Sequence, residues 1–339
     1  MKIGFIGAGS WGTALSMVAS DNNHDVRLWA RNEAYVEVIK TTRSNPKYLK
    51  DIVLKDNILV TSKVEECLEG VEILVLAIAS QAIRSWLEKY SQLIPKNTIV
   101  VDVAKGIENV TLLRMSEVIS EYRPDLDYVV LSGPSHAEEV SKQLPTTLVS
   151  ASKSKAIAET IQEVFSTNYL RVYTNPDVIG VELGGALKNI IALAAGITDG
   201  MGYGDNAKAA LMTRGIKEIT SLGVILGAAE NTFYGLTGIG DLIVTCTSMH
   251  SRNRRCGIMI GEGLSRAEAE VKVGMVVEGI YATQAAYHLS KKLNIEMPIV
   301  DELYQVLFNN ADVKQSVTNL MLRKRKHEME DLGDFRDWA

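Results

Sequence analysis

A few side chains in this sequence have types and spacings that suit chemistry rather than packing. The first group is Gly7-Ala8-Gly9-Ser10-Trp11-Gly12, a GxGxxG turn between an apolar run and a helical pattern. In such a turn Gly7 permits the tight reversal, Gly9 lets the backbone approach a pyrophosphate, and Gly12 lets helix and strand pack closely. The helix that follows offers free N–H groups and a positive dipole end to phosphate. A plain glycine turn is the bland alternative, and the place at the head of a strand–helix repeat favours a dinucleotide. The second candidate is Lys105, in Val103-Ala104-Lys105-Gly106-Ile107, at the end of a buried run. The third is Lys188, which with Asn189 interrupts the apolar stretch from Glu182 to Ile191. A lysine on a buried face needs a partner or a task. It could protonate an alkoxide as hydride reaches a carbonyl, and take the proton back in reverse. Desolvation would draw its pKa towards the working pH while charged partners push back. The fourth group is Asp241 in the glycine turn Gly238-Ile239-Gly240-Asp241, then Thr245, then Ser251-Arg252-Asn253. Asp241 can orient an ammonium by charge-assisted hydrogen bonding. Ser251, Arg252 and Asn253 make a compact anion-binding cluster, because a guanidinium fork can donate two hydrogen bonds to phosphate. Taken singly, Lys105 is equally a loop lysine, and Arg252–Arg255 reads as an exposed basic turn.

These groups need elements to position them. Apolar runs at 2–6, 25–30, 73–78, 98–103, 128–131, 147–149 and 170–173 read as strands, several of them continuous Val/Ile/Leu as in a parallel sheet buried on both faces. Helical patterns at 12–19, 83–90, 111–121 and 156–164 fall between them. This alternation predicts an α/β fold with a Rossmann-type doubly wound sheet, whose ligands gather at the carboxyl ends of the strands. After Asn175-Pro176 the β runs cease, and helices are predicted at 181–195, 207–226, 266–272, 281–292 and 299–307. The expected organisation is therefore a nucleotide-binding domain over 1–177, an all-helical catalytic domain over 178–330, and a charged, solvated tail over 331–339.

With 339 residues, 46% hydrophobic and 23% charged, the chain has ordinary globular composition, enough for two domains. The net charge of −5 excludes general recruitment of nucleic acid or an anionic membrane, so an anionic ligand must be held by local cations. Cys67, Cys246 and Cys256 suggest neither a disulfide framework nor a zinc site, and fit a reducing cytoplasm. Glycines interrupt the N-terminal apolar run, so it does not read as a signal peptide. The apolar stretch 190–195 is too short to span a bilayer, and no membrane insertion is expected.

The end of the second strand bears on the cofactor. An acid there would bind the ribose 2′-hydroxyl of NAD. The sequence has Trp29-Ala30-Arg31-Asn32 instead, and a guanidinium suits the 2′-phosphate of NADP. NADP is favoured over NAD on this ground, with Arg31 stacking on adenine or facing solvent as the alternative.

Taken together, the stretches GAGSWGTALS (7–16), VAKGIE (103–108), LSGPSHAEEV (131–140), ELGGALKNIIALAAGITDGMGYGDNAKAALMTRG (182–215), GIGDLIVTCTS (238–248), SRNRRCG (251–257) and VVEG (276–279) resemble the bacterial NAD(P)-dependent glycerol-3-phosphate dehydrogenases over nearly the whole chain. The resemblance implies reversible reduction of dihydroxyacetone phosphate to sn-glycerol 3-phosphate, a phospholipid precursor. It implies that Lys188 is the proton donor and acceptor, that Lys105 contacts substrate and nicotinamide, and that Asp241 orients the lysines. It further implies that Gly133 and Ser135 touch substrate, and that Ser251, Arg252 and Asn253 grip its phosphate. Ser10, Trp11, Arg31, Ala137, Arg252, Val276 and Glu278 would contact cofactor, with Asn189 and Thr245 in supporting places. Two prolines usual in the family are missing. Ala79 stands in Ile78-Ala79-Ser80-Gln81, which should loosen a turn near the cofactor, and Lys50 follows Tyr48-Leu49 in a lid-like loop around 45–54. A homodimer is expected, as is common for such enzymes. Two other readings stay open at this point: a Rossmann dehydrogenase for a hydroxyacyl or sugar-acid substrate, and a non-catalytic NAD(P) sensor. A sensor would need the glycine turn but not Lys188 together with Asp241.

Overall fold

A computed structural model describes residues 1–325. The first half runs β1 (Lys2–Ile6), α1 (Ser10–Asp21), β2 (Asp25–Trp29), α2 (Glu33–Thr42), the short strands β3 (Ser44–Asn45) and β4 (Leu49–Val53), β5 (Ile58–Thr61), α3 (Val64–Leu68), β6 (Ile73–Leu76), α4 (Ile83–Tyr90), β7 (Ile99–Asp102), α5 (Met115–Tyr122), β8 (Asp127–Ser132), α6 (Ala137–Val140), β9 (Thr146–Ala151), α7 (Lys155–Phe165) and β10 (Leu170–Asn175). Eight strands form one sheet in the order β10-β9-β8-β7-β6-β1-β2-β5. The chain leaves β1 towards β2 and later returns to β6 on its other side. This makes a topological switch point at the carboxyl end of β1, where open α/β sheets bind ligands.

The sheet is parallel-dominated rather than uniformly parallel. β9 pairs antiparallel with β8, and β10 runs parallel to β9. Between β8 and β9 the only helix is the four-residue α6, too short for the crossover that a parallel return requires. Both faces of the sheet are covered. Ile3, Phe5, Leu15 and Phe165 pack on one side, and Ile6, Leu74, Leu87 and Val118 on the other.

Among the described residues every later element is helical: α8 (Val178–Gly200), α9 (Asp205–Ile225), α10 (Asp241–Thr247), α11 (Arg252–Gly261), α12 (Arg266–Val273), α13 (Glu278–Leu293), α14 (Pro298–Asn309) and α15 (Val313–Met321). Asp177 starts α8 by accepting the Gly180 N–H at 2.9 Å. α8 is the axis of this half, buried from Val181 to Ile197. A Cβ on Gly257 of α11 would fall 2.1 Å from the Leu193 carbonyl oxygen, so glycine is required where these two helices touch backbone to backbone. α8 is long and apolar enough to cross a bilayer, which corrects the expectation drawn from 190–195. However, 94% of its apolar window is buried inside the fold, which marks a core helix.

Other expectations also change. The helix expected from Thr111 begins at Met115, because Ile107 and Arg114 form an isolated bridge and Leu112 has φ +63°. α2, α3, β5 and the β3–β4 hairpin were not legible as elements, nor were α10, α11 and α15. The Arg252–Arg255 stretch is the first turn of α11 rather than a basic turn, with Ser251 as its cap accepting the Arg254 N–H at 3.2 Å. The expected charged tail over 331–339 lies outside the described residues.

Candidate active site

The glycine turn joins β1 to α1. Gly7 has φ +116°, and a Cβ there would meet the Ala77 carbonyl at 2.5 Å; one on Gly12 would meet the Gly7 carbonyl at 2.0 Å. Both positions are glycine for close packing. Gly9 has nothing within 4 Å of its missing Cβ and begins a helix that no side chain caps. Open space beside uncapped N–H groups is what a pyrophosphate requires. The residues present therefore fit a dinucleotide.

The loop read as lid-like is the β3–β4 hairpin, pinned to this turn. Buried Asn45 donates to the Ala8 carbonyl at 2.9 Å and to Thr13 Oγ1 at 2.7 Å, and accepts from the Tyr35 hydroxyl. Ser10 Oγ donates to the Tyr48 carbonyl at 2.7 Å. Arg31 lies exposed just past β2, where no acid stands, and Asn32 beside it caps α2. Trp11 is half-buried, its indole Nε1 without a partner. Lys50 is exposed within β4.

Lys105, Lys188 and Asp241, from three distant parts of the chain, converge. Lys105 Nζ lies 2.6 Å from Asp241 Oδ2 and donates to the Gly133 carbonyl at 2.9 Å. Lys188 Nζ lies 3.0 Å from Asp241 Oδ1 and donates to Thr245 Oγ1 at 2.6 Å. Thr245 in turn donates to the Asp241 backbone carbonyl at 2.6 Å. Asp241 is the first residue of α10, which corrects its reading as a turn residue. The glycines form a five-residue π-type turn, Leu236–Gly240, that delivers it. Lys188 is 5% exposed and Asp241 2%. Burial pulls the Lys188 ammonium down to about 8, the Asp241 carboxylate opposing and the Lys105 charge assisting. Burial alone would raise Asp241, but the two ammoniums overcome it and hold the carboxyl below its ordinary value.

Asn189, one residue along α8, donates to the Lys105 carbonyl at 3.3 Å and accepts from Asn253 Nδ2 at 2.8 Å. Asn253 Oδ1 accepts the Gly279 N–H at 2.8 Å. The structure thus ties the lysine helix, the start of α11 and the start of α13 together. Next to Asn253, the Arg252 side chain is half-buried and makes no ion pair among the described residues. Burial depresses its pKa against the more distant charges of Glu278 and Glu138. Glu278 is committed elsewhere, accepting from Ser80 Oγ at 2.8 Å and Ser80 N at 3.2 Å. Val276 is exposed just before it, Ala137 is buried at the start of α6, and Ser135 Oγ donates to the Gly133 carbonyl at 2.9 Å. Gly133 has φ +140°, a left-handed position that favours glycine.

Sequence reasoning missed three contributors. Asn45 looks like any loop asparagine. Ser80 takes part only because a distant helix brings Glu278 to it. His136, whose pKa is lowered by burial and by the charges of Lys188 and Lys105, rests against His250 with ring centroids 5.7 Å apart. Only the fold brings these together, and no local pattern announces them.

Residues 2–158 match the family model described as the NAD-dependent glycerol-3-phosphate dehydrogenase N-terminus, and residues 177–318 match the C-terminus model. The NAD(P)+ glycerol-3-phosphate dehydrogenase of Bacillus velezensis is 53% identical over 334 residues, spanning 98% of this chain and 97% of that protein. That of Bacillus thuringiensis is 53% identical over 337 residues, spanning 98% and 99%. A crystal structure of glycerol-3-phosphate dehydrogenase from Coxiella burnetii, 36% identical, superposes with a TM-score of 0.92 over 95% of this chain and 98% of that one. With both family models matched and relatives aligned nearly end to end, the chain belongs to the NAD-dependent glycerol-3-phosphate dehydrogenase family.

Proposed function

We propose that the site built on Lys105, Lys188 and Asp241 interconverts dihydroxyacetone phosphate and sn-glycerol 3-phosphate using NADPH or NADH. One observation carries this reading: an ammonium–carboxylate–ammonium cluster is linked through Asn189 and Asn253 to the half-buried Arg252 guanidinium, which has no ion-pair partner among the described residues. Desolvating a guanidinium without an ion partner is costly, so such a site suits a ligand that brings its own anion. Within this reading Arg252, Ser251 and Asn253 hold the substrate phosphate. Lys105 donates to the carbonyl oxygen, with Gly133 and Ser135 against the substrate. Lys188 keeps its proton on Nζ until that oxygen gains charge, then delivers it; in the reverse direction the neutral amine receives it. Asp241 holds both ammoniums in place, and Thr245 fixes the direction of Lys188. The nicotinamide cofactor, held by Gly7, Gly9, Ser10, Trp11, Gly12, Arg31, Lys105, Ala137, Arg252, Val276 and Glu278, supplies or accepts the hydride when bound.

NADPH is favoured, since Arg31 stands where an NAD-selective site would carry an acid. The division into domains 1–177 and 178–330 follows the change from sheet to helix. A homodimer, cytoplasmic residence and no insertion into membrane complete the reading. Three buried free cysteines suit a reducing compartment.

The deciding assay follows the nicotinamide absorbance of NADPH, and separately NADH, on adding dihydroxyacetone phosphate. Rapid oxidation supports the proposal. Binding of NADPH without oxidation would favour a sensor, and preferential turnover of a non-phosphorylated hydroxy acid would favour a different dehydrogenase.

A further inference from the structure

A second polar cluster lies beneath the site and takes no part in the chemistry above. Glu182, on α8 six residues before Lys188, is buried and accepts four hydrogen bonds. The donors are Arg114 Nη1 at 2.6 Å, Ser116 Oγ at 2.8 Å, Ser116 N at 2.8 Å and the Tyr128 hydroxyl at 2.9 Å. The same hydroxyl lies 3.3 Å from Oδ2 of Asp102, the last residue of β7. Asp102 Oδ1 accepts the Ala104 N–H at 3.0 Å, which shapes the turn into Lys105. One line of contacts therefore runs from the helix that carries Lys188 to the turn that carries Lys105.

Proton counting constrains this line. A tyrosine hydroxyl has one hydrogen and faces two carboxyls. Burial raises both carboxyls, but Glu182 has Arg114 and three other donors to offset it, so of the two it suits the charged state and the shorter bond from Tyr128. Asp102 is 1% exposed, has one backbone donor and no ion-pair partner among the described residues, and faces the acids Glu182 and Glu278 as well as Tyr128. We propose that Asp102 is a neutral carboxylic acid that donates to Tyr128, and that Asp102, Tyr128 and Glu182 are positioning residues locking the Lys105 turn to the Lys188 helix. Burial and the neighbouring acids both favour the protonated form of Asp102. The positioning role rests on the functions assigned above to Lys105 and Lys188; the protonation state does not.

Two measurements test the proposal on the full chain. In infrared difference spectra of wild type against D102N at neutral pH, the wild type shows a carboxylic-acid carbonyl band that the variant lacks. Absence of that band overturns the protonation, whatever the enzyme turns over. In steady-state kinetics, D102N can accept from Ala104 N and donate to Tyr128, so it retains kcat and both KM values within about twofold. Y128F and D102A lower kcat by about tenfold or more through misalignment of the lysines, with the cofactor KM little changed. Loss of activity in D102N equal to that in D102A refutes the neutral lock, and unchanged kcat in Y128F refutes the positioning role. If D102A does not fold, D102N and Y128F still decide.

Discussion

Replacing Asp241 by asparagine tests the electrostatic logic of the site most directly, because the change keeps shape and removes one charge. The carboxylate lies 3.0 Å from Lys188 Nζ and 2.6 Å from Lys105 Nζ. At an effective dielectric of about 20, the attraction across about 3 Å is worth about 5 kcal/mol. Solvent entry and the remaining amide hydrogen bond will reduce what is felt. If about half is realised, Lys188 falls by roughly two pKa units, at about 1.4 kcal/mol per unit. From its starting value of about 8, the amine would then be mostly neutral at pH 7. Ketone reduction needs the ammonium, so kcat at pH 7 should fall about tenfold from protonation alone, and further from lost orientation. Activity should recover in part on acidification. The assay is kcat for reduction between pH 5.5 and 9 under saturating cofactor, with cofactor affinity as a control on folding. If the alkaline limb of D241N lies where the wild-type limb lies, the carboxylate does not set the Lys188 proton and the reasoning fails.

In the wild type, reduction should lose rate as pH rises through about 8 while oxidation gains rate over the same range. The Lys188→Met variant should show neither limb and little turnover. The folded pKa of Lys188 lies below its unfolded value of 10.5, so burial penalises the charged amine below about pH 8, and that penalty is relieved as pH rises towards 10.5. Denaturant titrations should therefore show the wild type gaining stability relative to Lys188→Met across that window, and equal pH slopes would contradict the depressed pKa. If Arg252 grips the substrate phosphate as proposed, Arg252→Lys removes one prong and should cost about 1.5–3 kcal/mol, roughly 10- to 150-fold in KM for dihydroxyacetone phosphate. Unphosphorylated dihydroxyacetone should be affected much less, and an equal effect on both substrates would count against a phosphate role. Ala79 has φ −59°, which proline can adopt. Ala79→Pro should therefore raise stability by about 0.4–1 kcal/mol through the unfolded chain; a lower Tm in a thermal melt would mean that the turn needs the alanine N–H.

Much of the fold was legible because its signals are local. A strand buried on both faces must be a continuous apolar run, so β1, β6 and β7 could be read to within two residues of each end. A tight turn before a helix must contain glycine, so the turn from β1 into α1 could be read from Gly7, Gly9 and Gly12. A lysine within an apolar helix pointed to Lys188 because burial of charge is costly anywhere. α2 and the β3–β4 hairpin were missed because their residues are largely exposed and mixed, whereas β5 is an apolar run of only four residues, three of them buried, that pairing with β2 makes a strand.

The sequence alone determined which groups exist and which short elements carry them. Only the tertiary structure decided their partners. Lys105, Lys188 and Asp241 lie far apart along the chain, and no local pattern states that a π-type turn will set Asp241 between two ammoniums. Arg252 could be read as part of an anion-binding cluster or, taken alone, as an exposed basic turn, and only the fold half-buries it at the start of α11 with no ion-pair partner among the described residues. The pKa of a side chain and the energy of an ion pair depend on distance and water exclusion, and neither exists until the sheet and the helices meet.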